Sequence, residues 1–425
     1  MSLTVGRVAS IQGEVRPPGD KSLTHRALLF SAISDGPCFV KDALQSFDTK
    51  ATLSCLCAMG LRFEQIDNNC LRLIPPPVWT TPEVDLDCGN SGTTMRLLSG
   101  LVASRDIRAR MIGDESLSRR PMRRIAEPLR LMGATVQGDY PPLQISGSSH
   151  LTAISYESPV ASAQIKSCVL LAGLRANGTT TVTEPSLSRD HTERMLNAIG
   201  VPVVRNGLSV SVEGGKVPHA FEMSVPGDIS SAAFWMVAGL LFDDSEITIS
   251  HVGINPSRTG IFRVFEQVGS AVGISPVSEE LGEPVANLHI SRKSELLGFR
   301  ICGDLVPQLV DEIPVLAVLA TQCDGITEIR DANELRLKES DRIELMANGL
   351  NRMGAHVEAL DDGLRIVGPT PLIGATIDAQ GDHRIAMSFV VAGLIADGNT
   401  TILGEESIAT SYPSFEEDLW RLCIV

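Results

Sequence analysis

With 425 residues the chain exceeds what one hydrophobic core usually supports, so at least two domains are expected. An apolar fraction of 43% with 20% charged residues is ordinary for a globular protein. A formal charge of −15 argues against duplex nucleic acid as a partner, because such binding needs a basic face to displace counterions.

The opening "MSLTVGRVAS" lacks the charged-then-apolar shape of a secretory signal. The longest apolar runs, Ala232 to Phe242 and Ile385 to Ala396, fall short of the roughly 20 residues a bilayer span needs. A cytoplasmic protein without membrane contact is expected. Nine cysteines make no paired CxxC pattern; Cys55 and Cys57 come closest, on a helical stretch, so no disulfide and no metal are assigned.

In chain order, residues 2–15 read as a strand ended by the chain-breaking Pro17-Pro18-Gly19. "GDKSLTHRALLF" opens a buried helix with Lys21 and Ser22 at its start and Arg26 one turn on, all facing one way. "GNSGTTMRLLSG" is a small-residue turn into a second buried helix: Gly92 permits close backbone approach, while Asn90, Thr93 and Arg96 supply donors. In "DESLSRRPMRRI", Arg120 stands before Pro121, which suits a helix's first turn and a guanidinium forking onto a carboxylate or phosphate. Arg123 and Arg124 read as surface.

"SAQIKS" opens a third apolar helix at Ser162, Ala163 and Gln164, and "SRDHTERMLNAIGVPVV" gives an amphipathic helix followed by a strand. Val225-Pro226-Gly227 marks a second boundary, with Asp228 and Ser230 heading the fourth helix. "VPQLVDEIPVLAVLA" sets Asp311 and Glu312 before the fifth. Asp311 is there either a cap or a general base facing a ligand hydroxyl, and spacing leaves both open. "KESDRIELM" is expected to place Lys338 and Arg342 on one face of a helix start, with Glu339 adjacent. "GDHRIAMSFVVAGL" puts Arg384 at the sixth head; no His or Cys follows His383 at i+3 or i+4, so it reads as a hydrogen-bonding neighbour rather than a metal ligand.

Six polar helix heads, each followed by β-rich sequence such as "TTTVTEP" or "NTTILGEE", make a repeat of roughly 70 residues. The class is α/β. Three copies to a domain would bury their apolar helices together with the sheets outside, and residues 2–15 are expected to pack with the C-terminal half, giving two hinge-like crossings. Helix N-termini offer unpaired N–H groups and about half a positive charge, so several heads bearing Lys and Arg suit a small anionic substrate.

Taken in order, "GDKSLTHRALLF", "GNSGTTMRLL", "RRPM", "SAQIKS", "SRDHTE", "VDEIPVLAV", "LKESDRI" and "GDHRIAM" resemble the 5-enolpyruvylshikimate-3-phosphate synthases, the 3-phosphoshikimate 1-carboxyvinyltransferases, over essentially the whole chain. The resemblance implies a two-domain inside-out α/β barrel (α+β) of six βαβαββ units, three per domain. Residues 19–226 would form one domain and 1–18 plus 227–425 the other. It implies transfer of the enolpyruvyl group of phosphoenolpyruvate to the 5-hydroxyl of shikimate 3-phosphate, as a glyphosate target of aromatic amino acid biosynthesis. No cofactor or metal is implied, and a monomer is expected.

By motif position, Lys21, Ser22, Arg26, Ser162, Ala163, Gln164, Arg189, Asp311 and Lys338 resemble residues that hold shikimate 3-phosphate. Lys21, Gly92, Arg120, Gln164, Lys338, Arg342 and Arg384 resemble the phosphoenolpyruvate site. Asp311 corresponds to the base, and Lys21 or Glu339 to the acid that protonates the methylene. Because these residues fall in both halves, closure around the substrates is expected. Ala163, Glu334 and Thr410 depart from the Ser, Asn and Lys of one family branch, and "SRDH" with Arg189 is typical of the other, while Gly92 goes with glyphosate acceptance. The sister transferase acting on UDP-N-acetylglucosamine typically has Asn after the first Lys and a Cys in its mobile loop, unlike Lys21-Ser22 and "GDESLSRRP". An RNA 3′-phosphate cyclase would need a nucleotide-accepting His and a basic face, and a bare scaffold has no use for Lys21, Asp311, Lys338 and Glu339 together.

Overall fold

A helix that is buried on every side has to be apolar along nearly its whole length. The helices Lys21–Ser31, Gly92–Ala103, Ala163–Gly173, Ile229–Leu241, Ile313–Ala320 and His383–Gly393 are of this kind. Each is followed by an element that buries only one stripe: Phe47–Ala58, Arg123–Leu131, His191–Ala198, Gly260–Val268, Arg342–Arg352 and Phe415–Leu422. The computed structural model describes residues 2–292 and 295–424.

The chain divides into two compact units. One comprises Gly19–Val225 with Glu279–Glu283, and the other Met1–Pro18, Pro226–Ser278 and Pro284–Val425. Each has its own apolar core, the first built around Leu28, Leu98, Val169 and Met223, the second around Trp235, Leu316, Phe389 and Phe415.

The described strands form six sheets. In the first unit all three sheets share one order: a parallel pair whose second strand is extended by two antiparallel strands. Thus Glu222–Ser224 pairs in parallel with Cys38–Lys41, which is followed by Cys70–Ile74 and Arg62–Asp67. The sheets led by Leu86–Asp87 and by Ser155–Glu157 repeat that order. In the second unit the sheet led by Arg300–Ile301 does so too. Every sheet has free edges, so no closed β-barrel occurs among the described residues.

Residues 2–15 are two strands, not the single one expected. Ser2–Val5 pairs antiparallel with Thr400–Leu403, and Ser10–Val15 pairs in parallel along Glu246–Ile249. The chain leaves extended hydrogen bonding between Val5 and Ser10, which lets it serve two different sheets.

Two close approaches set the helix heads side by side. A Cβ on Gly100 would collide with the carbonyl of Cys168, so only glycine lets Gly92–Ala103 lie this near Ala163–Gly173. A Cβ on Gly349 would strike the Phe389 ring, and there Arg342–Arg352 meets His383–Gly393. No described helix is long and apolar enough to cross a membrane.

Candidate active site

In the unit Gly19–Val225, Asp20 caps the first helix by accepting from Leu23 N at 2.9 Å. Lys21 is thereby fixed at a helix start, with its Nζ 3.1 Å from Asp48 Oδ2 in the first turn of Phe47–Ala58. One turn on, Arg26 donates from Nε to Thr192 Oγ1 (2.8 Å), from Nη2 to Ser167 Oγ (3.0 Å) and from Nη1 to the Ser22 carbonyl (3.0 Å). Burial pulls its guanidinium down to about 10, against Glu193, Asp20 and Glu283, and the Arg189 charge nearby pulls the same way as burial. An anion placed by Arg26 and Arg189 would relieve that repulsion.

Beneath Lys21, His25 Nδ1 lies 2.7 Å from Thr52 Oγ1, Thr52 lies 2.6 Å from Thr94 Oγ1, and the Thr94 hydroxyl donates to Ser91 Oγ at 2.7 Å. This buried chain ties three helices together. Burial first, then the charges of Lys21 and Arg26, holds His25 well below the ordinary imidazole range.

At the second head, Ser91 caps the helix that begins at Gly92. A Cβ on Gly92 would lie 2.7 Å from Arg96 Nη1 and 3.5 Å from Arg120 Nη1, so both guanidiniums border this glycine. Arg96 Nη1 donates to Gln164 Oε1 (2.8 Å), and Gln164 Nε2 donates to Thr93 Oγ1 (2.9 Å), which couples the second and third heads. Arg120 does not sit in a helix's first turn as expected. The short helix Glu115–Ser118 ends before it, and the next begins at Arg123. It is oriented instead by Asn90 Oδ1 (2.6 Å) and Ser116 Oγ (3.1 Å). Ser162 caps the third head and its N–H is held by Glu184 Oε1 at 2.8 Å, with Ala163 next in line. Arg123 is exposed and paired with Glu127, as a surface residue would be.

In the other unit, Asp311 Oδ1 lies 3.3 Å from Arg342 Nη1 and 3.9 Å from Lys338 Nζ. Lys338 is not on the helix, contrary to the one-face expectation. Asp341 accepts from Glu344 N and caps a helix that starts at Arg342, leaving Lys338 and Glu339 in the preceding turn. The two cations still reach one carboxylate. Arg342 also donates to Glu339 Oε2 (2.7 Å) and Asp382 Oδ2 (2.8 Å). Burial alone would lower its guanidinium, but Asp382, Glu339 and Asp311 together override burial and raise it above an ordinary arginine. Asp311 and Glu339 each keep 20% of the side chain exposed while Asp382 keeps none, so the first two are the carboxylates of this cluster open to a ligand. The N-cap position before Ile313 belongs to Glu312, which makes no side-chain cap, so Asp311 is not spent on capping.

Asp382 caps the sixth head by accepting from Arg384 N at 2.9 Å. Arg384 is buried beneath the polar cluster, 5.9 Å from the Phe234 ring centre, and its Nη1 meets no acceptor among the described residues. A buried guanidinium donor of this kind is a place for an anion or an ordered water. A further buried network, Arg258 with Asp228 (3.4 Å), Ser230 (2.6 Å) and Glu312 (3.7 Å), joins the fourth and fifth heads. The sequence did not single out Asp48, Thr192 or Arg258: the first two are ordinary residues of their helices and the third of the turn before Gly260–Val268, until the fold supplies a partner far away in sequence. No cluster of His, Cys, Asp and Glu able to hold a metal occurs among the described residues. The cysteines are all free.

Helix heads that carry guanidinium and ammonium groups, several of them oriented by a carboxylate or amide, mark an α/β protein with its cations gathered at helix starts. The family model for EPSP synthase (3-phosphoshikimate 1-carboxyvinyltransferase) matches residues 5–419. The chain belongs to that family, and it is a transferase. It is 48% identical over 427 residues to the 3-phosphoshikimate 1-carboxyvinyltransferase of Brevibacillus brevis, covering 99% of each chain. It is 46% identical over 418 residues to that of Bacillus cereus, covering 97% of each. An EPSP synthase structure from Acinetobacter baumannii superposes with a TM-score of 0.89 at 42% identity, over 100% of this chain and 98% of that one. The enolpyruvyl transferase NikO from Streptomyces tendae, at 20% identity and a TM-score of 0.80 over 99% and 97% of the chains, shares the fold.

Proposed function

We propose that this protein transfers the enolpyruvyl group of phosphoenolpyruvate to the 5-hydroxyl of shikimate 3-phosphate, releasing phosphate, in the route to aromatic amino acids. The observation that carries the mechanism is Asp311, part-exposed and set between Lys338 and Arg342. Two cations hold that carboxylate in place, as a base needs when it takes the hydroxyl proton.

The enol ether carbon becomes electrophilic only when the methylene is protonated. Glu339 Oε2 accepts from Arg342, a use for a carboxylate rather than for a proton donor, which supports Lys21 as the acid. Arg120, Lys338, Arg342 and Arg384, with the Gly92 head, are assigned to phosphoenolpyruvate. Lys21 and Gln164 serve both substrates, and Ser22, Arg26, Ser162, Ala163, Arg189, Asp311 and Lys338 are assigned to shikimate 3-phosphate. The two substrates repel each other, and the cations offset that repulsion as charge develops.

The shared strand order of four sheets supports a fold of six βαβαββ units, three in each unit. The reaction is tested by phosphate release. Release that needs both phosphoenolpyruvate and shikimate 3-phosphate is the expected result, and release with UDP-N-acetylglucosamine instead would favour the sister reaction. The family matches do not favour that alternative.

A further inference from the structure

Lys166 is fully buried in the helix Ala163–Gly173 and has no part in the chemistry above. Its Nζ lies 2.9 Å from Glu184 Oε2 and 2.8 Å from Glu193 Oε1, two carboxylates that are themselves almost wholly buried. At these distances ammonium–carboxylate attraction holds the triad together. A buried ion triad is a poor way to gain stability, since apolar residues of the same volume are often neutral or better. Its use has to be sought in what it orients.

Each carboxylate has a second task. Glu184 Oε1 accepts the backbone N–H of Ser162 at 2.8 Å, and its Oε2 accepts the Ser188 hydroxyl at 2.9 Å, one residue before Arg189. Glu193 lies beside Thr192, whose hydroxyl accepts from Arg26 Nε at 2.8 Å. Arg205 Nη2 approaches Glu193 Oε1 at 3.5 Å. Ser167, the neighbour of Lys166, accepts from Arg26 Nη2 at 3.0 Å and shares a 2.7 Å hydrogen bond with Thr192. One ammonium group therefore governs the Ser162 helix head, the loop that carries Arg189, and the helix that locates Arg26.

We infer that Lys166 is a positioning residue for shikimate 3-phosphate: through Glu184 and Glu193 it sets the places of Ser162, Arg189 and Arg26 without touching the ligand. The inference rests on the assignment of those three residues to that substrate. The effect is expected to fall first on this ligand, because the second contacts of Glu184 are Ser162 N and Ser188 Oγ and that of Glu193 is Arg205.

The test uses Lys166→Met, which keeps length and removes charge, with Glu184→Gln as a milder second variant in which Glu193 still balances Lys166. Binding of shikimate 3-phosphate alone is measured by calorimetry, and KM for each substrate by phosphate release. Lys166→Met is expected to weaken shikimate 3-phosphate binding and raise its KM by about tenfold, and Glu184→Gln by a few-fold, with the KM for phosphoenolpyruvate and kcat both changed by less than about threefold. If Lys166→Met does not fold, Glu184→Gln carries the same comparison. Folded variants with unchanged shikimate 3-phosphate affinity, or with both KM values raised equally, overturn the inference. Arg26→Lys in the same calorimetry separates the two levels. If it weakens binding while Lys166→Met and Glu184→Gln do not, the inference alone fails. If it binds normally, the site assignment fails and takes the inference with it.

Discussion

Arg342 Nε donates to Asp382 Oδ2 at 2.8 Å, which locks the head of Arg342–Arg352 onto the head of His383–Gly393. The Asp382 side chain is wholly buried, and it also accepts from Arg342 Nη2 (3.3 Å), Ser340 Oγ (2.9 Å) and Arg384 N (2.9 Å). One carboxylate thus orders a cap, a turn and a guanidinium, and through Arg342 it fixes the geometry around Asp311.

Removing one partner of a buried pair leaves the other charge stranded. Arg342→Met is expected to lower stability by about 3–5 kcal/mol, read from urea unfolding, and to abolish turnover. Adding Asp382→Asn should recover part of that loss, because it removes the stranded charge. A single variant with an unshifted unfolding midpoint would show that the pair contributes nothing to the fold.

Asp311 is different, because it is partly open to solvent and caps no helix. Asp311→Ala is expected to fold with a midpoint near that of the parent and to lose about 10²–10⁴-fold in turnover, the usual scale for a lost acid or base. Quantified phosphate release with both substrates checks this. Unchanged turnover would remove Asp311 from the proton transfer.

Sequence alone located all six helix heads, because capping residues, small turns and apolar runs are local signals and local hydrogen bonds enforce them. Lys338 was placed one turn too far in, since the pattern "KESDRIEL" permits a helix from either Lys338 or Arg342 and only the Asp341 cap decides. Arg120 was read from Pro121, but its position is set by Asn90, thirty residues away. Asp48 looks like an ordinary first-turn acid in "SFDTKATL", and Lys166 like any helical lysine. Their partners, Lys21 and the pair Glu184 and Glu193, are supplied by tertiary packing, which leaves no trace in spacing. Free sheet edges were also outside what a repeat pattern can specify.

Gly92 has ordinary backbone geometry, so alanine there brings no conformational strain, and helix propensity favours it by up to about 1 kcal/mol. The new methyl would instead meet Arg96 Nη1 at 2.7 Å and touch Arg120 Nη1 at 3.5 Å. The flexible end of Arg96 must then move away from Gln164, which it holds at 2.8 Å. Gly92→Ala is expected to keep its stability and raise the KM for phosphoenolpyruvate by about tenfold, roughly the loss of one charge-assisted hydrogen bond. Steady-state kinetics at saturating shikimate 3-phosphate decides, and an unaltered KM would mean that neither guanidinium near Gly92 bears on that substrate.

His25 gives the protein a built-in acid sensitivity. It is fully buried against Thr52 at 2.7 Å, and burial together with Lys21 and Arg26 holds its folded pKa well below the ordinary value. In the window between the lowered folded value and the unfolded value of about 6.5, the unfolded chain binds a proton that the folded chain refuses. Stability is therefore whole above about pH 6.5 and falls as pH drops, by at most about 1.4 kcal/mol per pH unit for this one group. His25→Asn keeps a polar partner for Thr52 but cannot titrate, so its unfolding midpoint should depend less on pH through that window. Urea unfolding of both proteins at several pH values between about 5 and 7.5 measures the difference in slope, and identical slopes would place the acid sensitivity elsewhere.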